Sequence, residues 1–301
     1  YHSPDLLSTR AGERGVKILF VGRTAAIGGG STFRYNAGRG LLERGHPVWV
    51  LAWPGAMVAR YRAAGIGYCW APPAPLSAPW IAWAIRRYGI DLVHASNITP
   101  AMAAAWACRQ TGTPLVISVH NAIPRRQCRR YCLDLARKVI AFDEVAEARL
   151  RRYPEFIAPE KIARIPRPIE HHPALPPEAP PFRIVYIGRL SSRKGQLALD
   201  LIRAVREVAR AGHAVELTIL GDGSLLRAVR REARASEGAM PPPRVLGRVL
   251  EPLAHLRQAH VVVGAGYAAL EAAMCGAAVI GAGFKGYGPV DRESALHARG
   301  C

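Results

Sequence analysis

Three cationic residues follow a short apolar run near the middle of the chain, and they are the first candidates for chemistry. The run 182–187 (FRIVYI) is typical of a buried parallel strand, and Gly188 ends it. Arg189, Arg193 and Lys194 come next, just before a predicted helix. Because parallel α/β sheets bind ligands at the carboxyl ends of their strands, these cations are suited to a phosphate group. Taken alone, the loop is equally compatible with a solvated basic turn.

Glycines near the N-terminus form a second candidate anion site. The run 28–30 (GGG) follows the predicted strand 16–21 and opens a predicted helix, for which Ser31 or Thr32 would be the N-cap. Glycines at a helix start let backbone N–H groups approach an anion. The run is neither a P-loop nor a full Gly-x-Gly-x-x-Gly fingerprint, so by itself it is a weak signal.

Two histidines end predicted strands. His94 ends the strand 91–94, and His120 follows the strand 114–119. A histidine at a strand end is commonly a structural hydrogen-bonding residue, and His94 is interpreted in this way. His120 is compatible both with a structural role and with direct contact to a substrate.

Metal ligands are not evident in the sequence. It contains no Asp-x-Asp pair, which enzymes commonly use to hold a divalent ion on a diphosphate. The six cysteines have neither Cys-x-x-Cys nor zinc spacing, and Cys128 and Cys132, four positions apart, supply only two thiols. We therefore predict no metal site and reduced structural cysteines, as in a cytoplasmic protein.

Positive charge dominates the composition. The chain has 41 lysines and arginines against 22 acidic residues, giving a net charge of +19. Such a field attracts polyanions, anionic membrane surfaces or negatively charged small substrates. The arginines are spread along nearly every predicted helix, and no helix-turn-helix, zinc-finger or aromatic RNA-binding motif is present. Specific nucleic-acid binding is therefore not expected.

Membrane insertion is not predicted, whereas peripheral contact is a hypothesis. No apolar run approaches the roughly 18 to 20 residues that span a bilayer, and the polar segment 1–15 contains no signal-peptide apolar region. The basic segment 124–138 has some helical amphipathicity and could contact anionic lipid headgroups, although a solvated helix face explains it slightly better. We expect a cytoplasmic protein, with peripheral contact at the inner membrane surface as a further hypothesis.

Predicted strands and helices alternate along the chain without hairpin signals, which is typical of parallel α/β domains of Rossmann type. The pattern runs over 16–172, stops in the proline-dense segment 173–181, and restarts over 182–301. We therefore predict two tandem Rossmann-like domains joined by a proline-rich linker and preceded by a polar N-terminal segment. Their parallel sheets are expected to face a central cleft, where such proteins bind ligands.

The cationic loop has the sequence GRLSSRKG (188–195), which is similar to the Gly-Arg-Leu-x-x-x-Lys-Gly signature of the retaining glycosyltransferases of family 4. Further stretches resemble motifs of that family in the same order, and its members have the GT-B architecture of two facing Rossmann-like domains. The other similar stretches are IGGGSTFRYNAGRGLLERGHPVWVL (27–51), DLVHASN (91–97), KVIAFDEVAEARL (138–150), PEKIARIPRPIE (159–170), LGDGSLL (220–226), VLGRV (245–249) and LEAAMCGAAVIG (270–281). The resemblance covers most of residues 16–283.

The resemblance implies transfer of a sugar from a nucleotide-diphosphate sugar to an acceptor hydroxyl, with retention of configuration and without a metal or other cofactor. The second domain would hold the donor. The first would hold the acceptor, which would be a glycan, a lipid-linked molecule or a small molecule.

Arg189 and Lys194 match the pair that contacts the donor diphosphate, and His120 matches a histidine that faces the transferred sugar. Glu271 matches a glutamate that accepts hydrogen bonds from the ribose. Gly29 and Gly30 match a first-domain loop that approaches either the phosphates or the acceptor. The remaining donor contacts that the resemblance implies are Gly188, Gly221, Asp222, Gly223, Leu246, Gly247 and Gly266.

Two departures from the family pattern keep alternatives open. The family's first glutamate, which helps to hold the donor sugar, falls at Val263, and family members continue beyond the position of Cys301. The second domain is therefore expected to be incomplete, or shortened in a divergent member. The alternative functions are a non-catalytic nucleotide-sugar-binding protein and a nucleotide-sugar epimerase of the same fold.

Overall fold

The structure, a computed structural model, describes residues 15–120, 123–170, 180–192, 194–235, 238, 240–283 and 286–289. The chain divides into two compact units, Tyr1–Pro168 and Ile169–Cys301. The predicted N-terminal segment 1–15 and the predicted linker 173–181 lie almost wholly outside the described residues. We call the two units the first and the second domain.

The first domain alternates strands and helices. Its strands are β1 (Ile18–Thr24), β2 (Val48–Trp53), β3 (Gly67–Trp70), β4 (Leu92–Ser96), β5 (Leu115–Val119), β6 (Lys138–Ala141) and β7 (Ile162–Arg164). Its helices are α1 (Gly29–Leu42), α2 (Met57–Ala63), α3 (Ala78–Tyr88), α4 (Ile98–Thr111), α5 (Arg125–Cys128) and α6 (Glu144–Arg151).

Every strand pairing in the first sheet is parallel, and the strand order is β3-β2-β1-β4-β5-β6-β7. The chain moves outward from β1 in one direction and then from β4 in the other. This reversal creates a switch point at the carboxyl ends of β1 and β4, which is where doubly wound sheets bind ligands. The strands are rich in buried aliphatic residues, as expected for a sheet covered by helices on both faces.

The second domain repeats the plan in a smaller sheet. Its strands are β8 (Phe182–Ile187), β9 (Val215–Leu220), β10 (Arg244–Gly247), β11 (Val261–Gly264), β12 (Ala278–Gly283) and β13 (Gly286–Pro289). Its helices are α7 (Gln196–Arg210), α8 (Leu226–Arg234), α9 (Leu253–Leu256) and α10 (Tyr267–Met274).

The second sheet has the order β10-β9-β8-β11-β12-β13. Its switch point therefore lies between β8 and β11, directly after the strand that precedes Arg189. The strands β8 to β12 pair in parallel, whereas β13 is antiparallel to β12. The predicted Rossmann-like character of both domains is confirmed, but the antiparallel strand was not predicted from the sequence.

The structure corrects two local predictions. Neither Ser31 nor Thr32 caps α1, because the helix already begins at Gly29 and the Ser31 hydroxyl instead donates to the Thr24 carbonyl. The segment 124–138 is not one amphipathic helix. It consists of α5 and two single 3-10 turns before β6 begins. Asp143 caps α6, since its side chain accepts a hydrogen bond from the Ala146 amide.

Candidate functional site

Three loops meet at the carboxyl edge of the second sheet, and backbone hydrogen bonds join them. The Gly188 amide after β8 donates to Leu220 at 3.0 Å, and the Leu190 amide donates to Asp222 at 3.0 Å. The Gly221 amide after β9 donates to Gly247 at the end of β10, at 2.8 Å. Three of the segments singled out in the sequence are thus brought together.

The glycines of these loops are required by close backbone approach. A Cβ on Gly221 would lie 2.0 Å from the Gly188 carbonyl oxygen, and one on Gly223 would lie 2.5 Å from the carbonyl carbon of Leu190. Contacts this short exclude any side chain unless the backbone moves. The Asp222 carboxylate accepts from the Gly223 amide at 2.8 Å and from Arg248 at 3.0 Å, so it stabilises the loop.

Arg189 and Lys194 form a pair of like charges at this edge. Arg189 is exposed, and its side chain has no ion pair with another described residue, whereas Lys194 is half-buried. Burial and, secondarily, the nearby Arg189 guanidinium lower the pKa of Lys194. The Tyr186 hydroxyl donates to the Lys194 carbonyl at 3.1 Å and holds the loop in place. A bound anion would relieve the repulsion between the two cations. The third cation of the sequence prediction, Arg193, lies outside the described residues.

The other side of this switch point is formed by the start of α10. Gly266 precedes the helix with a φ of 63°, a left-handed conformation that favours glycine, and Glu271 lies half-buried within the helix. Leu246 and Gly247 end β10, and the Leu246 side chain is exposed.

Val263 is a core residue, and this gives a physical reason for the departure from the family pattern. It is 3% exposed and packs in the apolar cluster that contains Tyr186 and Leu190. Only Ala265 and Gly266 connect β11 to α10. The position therefore offers no carboxylate, and the short connection leaves little chain to hold a sugar.

The switch point of the first domain contains a residue that the sequence prediction missed. Arg34 on α1 is 2% exposed, and its Nη2 donates to the Thr24 carbonyl at 2.7 Å and to the Ser31 hydroxyl at 3.0 Å. The guanidinium packs against β1 because Gly22 has no side chain there; a Cβ would lie 2.4 Å from Arg34 Cζ. The predicted Gly29 and Gly30 form the first turn of the same helix.

His94 and His120 belong to an aromatic cluster in the first domain. The His120 ring lies 5.3 Å from the Phe33 ring and 4.7 Å from the Phe142 ring, and its Nε2 is 3.5 Å from the Ser118 hydroxyl. Burial, followed by the nearby positive charges, lowers the pKa of His120 to about 3 and that of His94 to about 4. Both rings are neutral at physiological pH. His120 can therefore donate or accept a hydrogen bond, but it does not supply a positive charge.

One cavity in the described part of the chain lies away from both switch points. It has a volume of about 450 Å³ and is lined by residues that include Arg109, Leu115 and Arg137. These residues lie near the amino ends of β5 and β6, which is the opposite edge of the first sheet. No cluster of three or more potential metal ligands occurs among the described histidines, cysteines and carboxylates.

Two Rossmann-like domains with glycine-rich loops at their switch points define the chain as a GT-B protein, and comparison with known families agrees. Residues 27–172 match the model of Glycosyltransferase Family 4, and residues 181–295 match the model of Glycosyl transferases group 1. Together the two matches cover most of the chain. The protein therefore belongs to the group 1 glycosyltransferases with a family 4 first domain. No curated protein matches its sequence.

Solved structures share the fold at low sequence identity. A glycosyltransferase from Rickettsia africae is 18% identical with a TM-score of 0.64, and the match covers 89% of this chain and 79% of that one. Anabaena HepE, solved in complex with UDP and glucose, is 18% identical with a TM-score of 0.66, covering 90% and 82%. A putative UDP-N-acetylglucosamine 2-epimerase from Listeria monocytogenes is 15% identical with a TM-score of 0.63, covering 89% and 79%. These similarities establish the fold.

Proposed function

We propose that this glycosyltransferase moves a sugar from a nucleoside-diphosphate sugar to an acceptor hydroxyl with retention of configuration and without a metal ion. The observation that carries the proposal is the pair Arg189 and Lys194 at the switch point of the second domain. Burial and, secondarily, the nearby Arg189 guanidinium lower the pKa of Lys194. A diphosphate would relieve the repulsion between the two positive charges. UDP is the natural first probe, because it is bound in the HepE structures.

In the proposed reaction the bond between the anomeric carbon and the departing phosphate oxygen breaks, and that carbon forms a bond to the acceptor oxygen on the same face. The acceptor proton passes to the departing phosphate, so no protein base is required. Negative charge grows on the diphosphate as it leaves, and fixed cations stabilise this charge more strongly than that of the intact donor. The Asp222 carboxylate is engaged with Arg248, so it contributes to loop structure rather than to metal binding.

The remaining predicted residues take supporting roles in this proposal. Glu271 would accept hydrogen bonds from the ribose hydroxyls, and Leu246 and Gly247 would border the base. The neutral His120 ring would form a hydrogen bond to the transferred sugar. The acceptor would be a glycan, a lipid-linked molecule or a small molecule held by the first domain.

Substitution of the two cations tests the proposal. Arg189→Ala and Lys194→Ala should each weaken UDP binding and lower donor turnover by about 10- to 150-fold, the worth of one charge-assisted hydrogen bond. Arg210→Ala is the matched control, because it removes an equal charge from the exposed end of α7, where the side chain pairs with Glu207. Wild-type binding and turnover in both cation variants would show that the mechanism is wrong.

A non-catalytic nucleotide-sugar-binding protein is the second candidate function, and buried Val263 favours it. This position lacks the glutamate that helps family members to hold the donor sugar. The loops after β8, β9 and β10, which would bind the diphosphate, are nevertheless joined by backbone hydrogen bonds. Calorimetry that shows donor binding, together with no transfer or hydrolysis over long incubation, would support this candidate. Measurable turnover would exclude it.

A further inference from the structure

The switch point of the first domain holds a buried cation, Arg34. No carboxylate pairs with Arg34 among the described residues, and its Nε is buried without a hydrogen-bond partner. The arginine guanidinium is a positively charged group that donates hydrogen bonds and accepts none. An unpaired charge removed from water is strongly unfavourable, and a native site of this kind is expected to receive an anion.

Neighbouring buried polar atoms also lack hydrogen-bond partners. Four buried side-chain polar atoms lack partners in the part of the chain that the structure describes, and three of them belong to Arg34, His94 and Ser96. His94 and Ser96 lie on β4, which pairs with β1 beneath Arg34. Such a concentration of unsatisfied groups points to a missing ligand rather than to scattered packing faults.

Two helix N-termini converge on this point. Helix α1 begins at Gly29, and α4 begins after Asn97. Asn97 adopts a φ of 70° and a ψ of 157°, a region that normally only glycine adopts, and its side chain makes no capping hydrogen bond. A Cβ on Gly30 would lie 3.7 Å from Arg34 Nη1 and 4.0 Å from Asn97 Nδ2, so these donors border one small space. Helix N-termini, an amide and a guanidinium all favour an anion there.

We propose that Arg34, Asn97 and the N-terminus of α1 bind an acidic group of the acceptor, a carboxylate or a phosphate. This proposal rests on the function proposed above. Each phosphate of a nucleotide sugar carries one negative charge, and Arg189 and Lys194 already match these charges in the second domain. Arg34 is thus a further cation, and the anion that it binds belongs to the other substrate.

Gly30→Ala is the most informative variant. The added methyl group would occupy the space bordered by Arg34 and Asn97 at ordinary contact distances, and it leaves the hydrogen bonds of Arg34 intact. Alanine is also the better helix former, so the fold should tolerate the change. Gly40→Ala adds the same methyl group to the same helix away from the site and serves as the matched control.

Inorganic phosphate is the probe, titrated calorimetrically into the full chain carrying Arg189→Ala and Lys194→Ala so that the second domain does not compete. We expect binding that Gly30→Ala or Arg34→Gln weakens by about tenfold or more, and that Gly40→Ala leaves unchanged. Phosphate binding that survives both Gly30→Ala and Arg34→Gln would overturn the proposal.

UDP titration into the otherwise unmodified chain separates donor from acceptor. We expect Gly30→Ala to leave UDP affinity unchanged, whereas Arg189→Ala lowers it. An equal loss of UDP affinity in both variants would assign Arg34 to the donor and overturn the proposal. If UDP fails to bind the unmodified chain, the proposed donor function fails, and the phosphate titration still decides this site.

A separate observation concerns the outer surface of the first domain. Five of the six tryptophans are exposed, and the rings of Trp53, Trp70 and Trp80 follow one another at 6.1 and 5.9 Å. On α3 the exposed residues Trp80, Trp83 and Arg87 recur at helical spacing, so they share the outer face of the helix. We call Trp53, Trp70, Trp80 and Trp83 the tryptophan surface. Exposed aromatic patches of this extent mark interaction sites.

The charge pattern of the first domain favours an anionic partner. Between Glu43 and Asp134 the sequence contains ten arginines, no lysine and a single acidic residue, Asp91. Tryptophan and arginine together are the residues that favour the interface of an anionic bilayer, with the rings at headgroup depth and the cations on the lipid phosphates. We infer that the tryptophan surface docks on an anionic membrane. The segment 124–138 would contribute charge alone, because Cys128, Tyr131 and Leu133 are buried in the domain.

Co-sedimentation of the full chain with vesicles tests this inference. We expect binding to phosphatidylglycerol–phosphatidylcholine vesicles, with a blue shift of tryptophan emission, and little binding to phosphatidylcholine alone. Trp80→Ser with Trp83→Ser should abolish binding, whereas Arg125→Gln with Arg126→Gln should reduce it only modestly. Undiminished binding of the tryptophan variant, or equal binding to neutral vesicles, would refute the inference.

Discussion

Replacing Gly221 by alanine tests whether the three loops of the second domain act as one packed unit. The new Cβ would lie 2.0 Å from the Gly188 carbonyl oxygen and 3.3 Å from Leu190 Cγ. Ordinary contact begins near 3.4 Å, so the loops after β8 and β9 must separate by about 1.4 Å. Overpacking of this kind costs about 1–3 kcal/mol, which would lower the Tm of the second domain by roughly 3–10 °C.

The same displacement should weaken nucleotide binding, because the loop after β8 carries Arg189. Misplacement of binding groups by about 1 Å costs on the order of 100-fold in rate, and we expect UDP affinity to fall by about 10- to 100-fold. Scanning calorimetry measures the Tm, and titration calorimetry measures the affinity. Gly288→Ala is the control in the same domain, since nothing lies within 4 Å of its added Cβ. A wild-type Tm and UDP affinity in Gly221→Ala would refute the view that these loops form one unit.

Further predictions concern the first domain. His94 and His120 stay neutral in the folded protein, but in the unfolded chain they bind protons below a pKa of about 6.5. Lowering the pH from 8 to 5 should therefore reduce the free energy of unfolding by about 2 kcal/mol for each histidine. Urea unfolding that is independent of pH would contradict this. Asp143→Ala should cost about 1 kcal/mol by removing the cap of α6, again measured by urea unfolding, and an unchanged midpoint would show that the cap is unimportant. Burial raises the pKa of Cys108 to about 12, so iodoacetamide should label it far more slowly in the native chain than in urea, and equal rates would show that the thiol is accessible.

The loops of the candidate site in the second domain could be located from the sequence because the patterns that mark them are local. The run 182–187 and the cations after it share one strand and one loop, and the glycines at 221 and 223 mark a turn whose backbone approaches another chain segment. Local patterns of this kind determine where a strand ends and which side chains follow it. The parallel order of the strands then brings the loops to one edge of the sheet. The edge strand β13 has no such signal, because four residues rich in glycine carry no alternating apolar pattern.

Arg34 could not be recognised in the same way. In the sequence it is one arginine among many on a predicted helix, and its burial depends on Gly22, which comes from a different element. The register of α1 over β1 decides whether the guanidinium reaches solvent or the strand, and helical periodicity does not determine that register. The available signal was Gly22 itself, a glycine near the end of a buried strand, which often marks close approach by another group.

Val263 shows how a departure in one residue can leave part of a site intact. In the second sheet it pairs with Tyr186, whose hydroxyl holds the Lys194 carbonyl, and both residues pack in one apolar cluster. A carboxylate at position 263 would be buried in that cluster without a hydrogen-bond partner. It would disturb the packing of Tyr186, which holds the loop that carries Lys194. Valine therefore preserves the packing beneath the loop that carries Arg189 and Lys194, but it offers no hydrogen-bonding group. In the proposed reaction, residues other than Val263 must therefore hold the sugar.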